Sequence, residues 1–99
     1  MSRIIISDKA RYDLRQIWHY TVKTWSRIQA KKYYNEILDS CESLSDNGGP
    51  AVRSYDYVSP GLFGLHCNHH IVFYRVIKGE KIRVLRILHE KMDFQRHIK

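Results

Sequence analysis

The 99-residue sequence has two cysteines, two prolines and five glycines, and seventeen lysines and arginines outnumber ten acidic residues. Each scarcity excludes something. Cys41 and Cys67 lie in apolar patterns and do not make the disulfide framework of a small secreted domain, so reduced thiols are expected. No apolar run approaches the roughly 18 residues of a membrane span, and Met1-Ser2-Arg3-Ile4-Ile5-Ile6 is too short for a signal-peptide core. A soluble, unexported, cytoplasmic chain with no membrane partner is expected. With no internal repeat, low-complexity tract or linker, residues 1–99 read as one domain. No phosphate-cradling glycine loop or paired-carboxylate motif is present, so no cofactor is expected.

What remains is enough to fold. Hydrophobic content of 43%, with 12% aromatic residues, offsets the ordering entropy that keeps poorer chains disordered. A chain this small buries roughly 60–65% of its unfolded surface at most. The formal charge of +7 steers it toward anionic partners, nucleic acid or an acidic protein. The plainer alternative is that these cations only keep the domain soluble.

Ile4, Ile5 and Ile6 form a β-branched run read as a first strand. Ser7 or Asp8 caps a helix whose buried stripe is Ala10, Leu14, Ile17, Thr21 and Trp25. Its other face, Lys9, Arg11, Asp13, Arg15, Gln16 and Lys23, reads as solvated, while Trp18 and Val22 widen the stripe to one side. Ser26-Arg27-Ile28-Gln29 has the form of a capping box. Ala30, Tyr33, Tyr34, Ile37, Leu38, Cys41 and Leu44 then keep helical spacing until Asn47-Gly48-Gly49-Pro50 stops it. So short a connection makes the two helices an antiparallel hairpin. Tyr33 and Tyr34 could stack on bases, but aromatics at helical spacing usually belong to a core.

Ala51 to Pro60 shows no period and reads as a loop that exposes Arg53, Tyr55 and Tyr57 to a partner. Residues 62–67 and 70–77 read as strands around an Asn68-His69 turn, and Lys78-Gly79-Glu80 turns into a last strand starting at Lys81. In that strand Ile82, Val84, Arg86 and Leu88 are expected on one face, where Arg86 needs carboxylates, carbonyls or a ligand. Met92, Phe94 and Ile98 then suit a short closing helix or an extended tail. The order predicts an α+β domain, a helical hairpin on one face of a mostly antiparallel sheet, with the opposite face open.

His66, His69, His70 and His97 with Cys67 invite a metal reading, yet a structural site needs four converging ligands, and a regular hairpin sends His69 and His70 to opposite faces. Cys67 beside His66 or His89 lacks an acidic orienter and an oxyanion-hole loop. No metal and no catalytic residue are expected.

Arg86-Ile87-Leu88-His89-Glu90-Lys91-Met92-Asp93, read with His69-His70-Ile71-Val72-Phe73-Tyr74-Arg75-Val76 and the Asp13-Leu14-Arg15-Gln16-Ile17 helix, resembles the ParE toxins of the RelE/ParE superfamily. The likeness runs from about Ile6 to His97. It implies a β-α-α-β-β-β fold with the first strand beside the last. It also implies the toxin of a type II toxin-antitoxin system, a non-enzymatic poison that binds DNA gyrase and traps its cleaved-DNA complex until a ParD-like antitoxin covers it. DNA is then met only through gyrase or the antitoxin complex. The tail is the part implicated in reaching gyrase, here Arg86, His89, Glu90, Lys91, Met92, Phe94 and Arg96. For His89 a hydrogen bond that fixes the strand-to-tail turn stands as an equal reading. The antitoxin is expected on Trp18, Val22, Tyr34, Leu38 and Arg75, the hairpin residues receiving an acidic segment that folds as an amphipathic helix.

The same superfamily holds ribosome-dependent messenger-RNA ribonucleases of RelE type, which use lysines, arginines and a tyrosine on the open sheet face. Aligned on Tyr74-Arg75-Val76 and His89, their lysines fall near Leu62 and Gly64, their arginines on Ile71 and near Glu90, and their tyrosine near Phe94. None of these positions keeps the chemistry. A basic nucleic-acid-binding module without toxicity is the third reading.

Overall fold

A computed structural model describes residues 3–44, 51–78 and 81–98. Strand β1 (Ile4–Ile6) leads through Ser7 into α1 (Asp8–Thr24), and α2 (Arg27–Ser43) follows after Trp25 and Ser26. Ser7 Oγ accepts from the Ala10 amide at 3.1 Å and donates to the Leu85 carbonyl at 2.8 Å, so one hydroxyl caps the helix and ties it to the sheet. Ser26 Oγ likewise accepts from the Gln29 amide at 3.1 Å. Ala10, Leu14, Ile17 and Thr21 are buried as expected. Trp25 is not: α1 ends at Thr24, which turns Trp25 off the stripe and leaves it 73% exposed. The expected stop at Asn47–Pro50 lies outside the described residues, as does the turn at Gly79-Glu80.

The sheet runs β1-β5-β4-β3-β2, from β2 (Val52–Ser54), β3 (Phe63–Cys67), β4 (His70–Ile77) and β5 (Lys81–His89), and α3 (Phe94–His97) closes the chain. β1 lies parallel to β5 and every other pairing is antiparallel. The expected α+β arrangement stands, with one strand more than expected. Three residues are too few to show a period, so Val52-Arg53-Ser54 read as loop; pairing with Leu65, Gly64 and Phe63 makes them a strand. At the β3–β4 turn Asn68 adopts φ 54, a left-handed geometry that asparagine tolerates.

The helices pack Ala10, Leu14, Ile17, Ile37, Cys41 and Leu44 against Leu65, Cys67, Val72, Tyr74, Ile82, Val84 and Ile87 of one sheet face. The opposite face is not open. Tyr55, Leu62, Ile71, Phe73, Leu88 and Ile98 form a second core there, with Val58, Leu85 and Phe94 against it. The segment from Tyr55 to Leu62 and the tail supply its outer layer. β5 serves both cores because it carries a bulge: Phe73 pairs with Arg86 but Tyr74 with Val84, leaving Leu85 as the extra residue. Side-chain parity resets there, so Ile82, Val84 and then Ile87 face the helices while Leu88 faces the tail. The expectation that Ile82, Val84, Arg86 and Leu88 share one face is corrected by that single residue. No described helix is long and apolar enough to cross a membrane.

Candidate functional site

β1 covers only Ile82 to Val84 of β5. Beyond it the outer edge of β5 has no strand, and backbone groups there need other partners. Ser7 takes over first, its amide donating to the Val84 carbonyl at 3.0 Å. Asp13 takes over next: Oδ2 accepts from the Ile87 amide at 2.9 Å and from Arg86 Nε at 2.8 Å, and Oδ1 accepts from Arg86 Nη2 at 2.8 Å. Asp13 was expected on the solvated face of α1. It is 7% exposed, because the uncovered edge of β5 requires an acceptor at that point and α1 supplies it. Arg86 Nη1 also reaches the His97 carbonyl at 3.3 Å. Arg86 therefore braces α1, β5 and the tail together.

The turn into the tail is tied by both histidine rings beside it. His89 Nδ1 accepts from the Lys91 amide at 3.2 Å, and the Met92 amide donates to the His89 carbonyl at 3.0 Å. His69 Nδ1 meets Glu90 Oε2 at 2.8 Å and holds that exposed carboxyl below the usual carboxylate range. Asp93 caps α3 by accepting from the Gln95 amide at 3.2 Å. Of the tail residues expected at a target, Glu90, Lys91, Met92 and Arg96 are exposed and His89 is half-buried. Phe94 turns inward, its ring 4.8 Å from Phe73 and 5.9 Å from Tyr55.

Four of the five positions aligned with nuclease chemistry lie at this second core, and the fifth, Glu90, is exposed on the tail. Leu62 and Ile71 are buried in it. Gly64 lies under the Tyr55 ring, where a Cβ would stand 2.6 Å from the nearest ring carbon and 2.8 Å from Ile71. Tyr55 was expected to face a partner from a loop; it is buried, its hydroxyl 2.7 Å from His66 Nε2. Arg53 and Tyr57 are exposed, as expected.

His70, beside His69 at the same turn, is also engaged. His70 Nδ1 lies 2.6 Å from the Tyr33 hydroxyl, and burial pushes its pKa down to about 4, helped by His89 and His69, so the ring is neutral at pH 7. Among the described residues, no three or more His, Cys, Asp or Glu are grouped to hold a metal. Both cysteines are free and buried.

On the helical hairpin Trp18 and Tyr34 meet edge to face, centroids 5.8 Å apart, and with Arg15 line an open depression. Val22 and Leu38 are half-buried. Leu38 also borders a groove of about 570 Å³ between α2 and Ile4, Ile5 and Ile6 of β1. Arg75 is not brought to this set, since its guanidinium donates to the Pro60 carbonyl and Ser59 Oγ and pins the segment over the second core.

A family model described as the ParE toxin of the type II toxin-antitoxin system, parDE, matches residues 4–94. The chain belongs to the ParE toxin family. It is 34% identical over 98 residues to Toxin ParE1 of Mycobacterium tuberculosis, covering 98% of each chain. It is 33% identical over 93 residues to Toxin ParE of Escherichia coli, covering 94% of this chain and 89% of the relative. A solved structure described as the chromosomal ParDE TA system from P. aeruginosa superposes with a TM-score of 0.73 at 27% identity, covering 90% of this chain and 95% of the other. The ParE likeness read from the strand-to-tail motif therefore extends over nearly the whole chain.

Proposed function

We propose that this ParE-family chain is a cytoplasmic poison of DNA gyrase that works by binding, traps the cleaved-DNA complex, and is neutralised by a ParD-like antitoxin. The observation that carries the non-enzymatic part is the filled tail face. Leu62, Gly64, Ile71 and Phe94 stand where a ribonuclease of this fold would place cations and a phenol, and all four lie in or under the second core. Losing one electrostatic donor costs an enzyme about 100- to 1,000-fold in rate, so losing the whole set leaves nothing to stabilise a developing phosphorane charge.

Glu90, Lys91, Met92 and Arg96 would carry the target contact from the exposed tail, with His89, Arg86 and Phe94 fixing its course. The Trp18–Tyr34 depression, Val22 and Leu38 would receive an apolar face of the antitoxin. In support, the P. aeruginosa structure is of a ParDE system, and a charge of +7 favours an acidic partner. Arg75, engaged as it is, would meet the antitoxin only through the segment it pins.

Purified chain incubated with gyrase, plasmid and ATP is expected to accumulate protein-linked cleaved DNA while leaving ribosome-bound message intact. Cleavage of message within codons in a translating extract, with no trapped gyrase complex, would refute the reading.

A further inference from the structure

We propose that the closed end of the helical hairpin is a direct contact for duplex DNA, with Trp25 and Ile28 as an apolar wedge and Lys23, Arg27, Lys31 and Lys32 as its phosphate contacts. This goes beyond the gyrase reading, in which DNA is met only through other proteins. Residues 14–35 contain no aspartate or glutamate, and they carry Arg15 and the four cations of the hairpin end. Among the described residues none of these five takes part in an ion pair. A one-sign patch of unneutralised cations repels protein surfaces like its own and gains counterion-release free energy against a polyphosphate.

The wedge is the second observation, independent of charge. Ile28 is 85% exposed and Trp25 73%, the two most exposed large apolar side chains among the described residues, and they lie three positions apart. The connection cannot relax to hide them. The Trp25 amide donates to the Thr21 carbonyl at 2.8 Å, and Ser26 caps α2 immediately afterwards. Ile28 is the second residue of α2, opposite the side that buries Ala30 and Ile37. Two rigidly presented apolar groups are too small an area to hold a lipid bilayer surface, but they suit insertion at a base step in a minor groove bordered by phosphates. The wide, shallow minor groove of duplex RNA offers no such slot.

The test uses the full chain and a fluorescein-labelled 20-base-pair DNA duplex, followed by anisotropy across a salt series. The unmodified chain is expected to bind with a log–log salt slope of about −3 to −4. Arg27→Gln/Lys31→Gln/Lys32→Gln is expected to flatten that slope by about 2 to 3. Trp25→Ala/Ile28→Ser should weaken binding at least tenfold at unchanged slope. Lys9→Gln/Lys81→Gln/Arg83→Gln removes the same charge elsewhere and should change affinity by less than about threefold. All of these side chains are exposed, and far-UV circular dichroism checks that each variant is folded. The proposal is overturned if the control loses as much as the hairpin variant, if the wedge variant binds like the parent, if duplex RNA binds equally well, or if DNA is not bound. Gyrase poisoning is read in its own assay, so either proposal can fail while the other stands.

Discussion

Removing the Asp13 carboxylate should be the most damaging single change on the helical side of the molecule. In Asp13→Ala three hydrogen bonds go at once: two from the Arg86 guanidinium, at 2.8 Å each, and one from the Ile87 amide at 2.9 Å. Breaking a buried ion pair from one side costs about 3–5 kcal/mol, since the surviving charge stays desolvated. Here the Arg86 side chain is 17% exposed and Asp13 8%, so water recovers part of that. The orphaned Ile87 amide adds about 1–3 kcal/mol, overlapping with the first loss because both follow from one edge of β5 opening. The expected total is about 3–4 kcal/mol, against the roughly 5–15 kcal/mol that holds a domain of this size together. In a thermal melt that is a fall of about 15–25 °C, and in urea a shifted midpoint at similar slope. Arg86→Met should cost less, about 2–3 kcal/mol, because Asp13 keeps the Ile87 amide and the methionine packs. The double variant Asp13→Ala/Arg86→Met should then show a coupling of about 1–3 kcal/mol. A cost below about 1 kcal/mol for Asp13→Ala, or strictly additive single effects, would refute the idea that this carboxylate substitutes for the missing length of β1.

Gly64→Ala should lose about 2–3 kcal/mol by urea titration, since its Cβ would collide with the Tyr55 ring at 2.6 Å. A neutral effect would mean the ring lifts away freely. Phe94→Ala should lose a similar amount, about 2–3 kcal/mol, and increase hydrogen exchange over the tail, because the ring contacts both Phe73 and Tyr55. Lowering the pH should destabilise the fold through His70. Its folded pKa of about 4 lies below the ordinary 6.5, so the unfolded chain takes up the proton first. Stability is full above pH 6.5 and falls by on the order of 2 kcal/mol toward pH 4, a figure reduced for the ring's partial exposure. His70→Gln should reduce that slope, and what remains is expected from His66, whose pKa burial also lowers. The Cys41 thiol, buried with its pKa pushed up to about 12, should resist thiol reagents at pH 8 until the protein unfolds.

Most of the framework could be read from local signals, because local signals built it. Ser7 and Ser26 cap where a side-chain oxygen precedes an amphipathic run, and Asn68 turns the hairpin where a left-handed residue is needed. The failures share a different cause. Asp13 sits among charged residues on the polar side of α1, and nothing nearby in sequence says that β1 will end three residues into β5 and leave an edge for it to serve. The bulge at Leu85 is equally silent: a strand of alternating apolar residues looks regular until its partner shows one residue too many. Tyr55 and Phe94 read as loop and tail because they flank no periodic run. Tyr55 is buried because Gly64 leaves a gap that its ring can enter, and Phe94 then packs on Tyr55 and Phe73. The candidate contact residues on the tail and hairpin came from the family likeness, whereas which of them face solvent depended on those long-range pairings.

A sheet with cores on both faces also limits how the molecule can act. A domain of 99 residues gains stability by burying its second sheet face, and in the proposed reading that packing stands where a ribonuclease of this fold would gather charged groups. Clustered catalytic cations would have to displace Tyr55, Ile71 and Phe94 and would lie in apolar surroundings without counterions, a placement costing several kcal/mol per charge. What stays exposed is Glu90, Lys91, Met92 and Arg96 of the tail, the hairpin end at Trp25 and Ile28, and the open depression at Trp18 and Tyr34. Open surfaces of this kind suit gripping another molecule. If the tail and the hairpin end engage different parts of one assembly, the toxin bridges them, and those parts lie no further apart than the 38 Å long dimension of the described chain allows. A tail variant such as Lys91→Gln/Arg96→Gln should then abolish gyrase trapping while leaving duplex binding within about threefold of the parent, since neither side chain belongs to the hairpin patch. Loss of both together would mean that one surface, not two, does the binding.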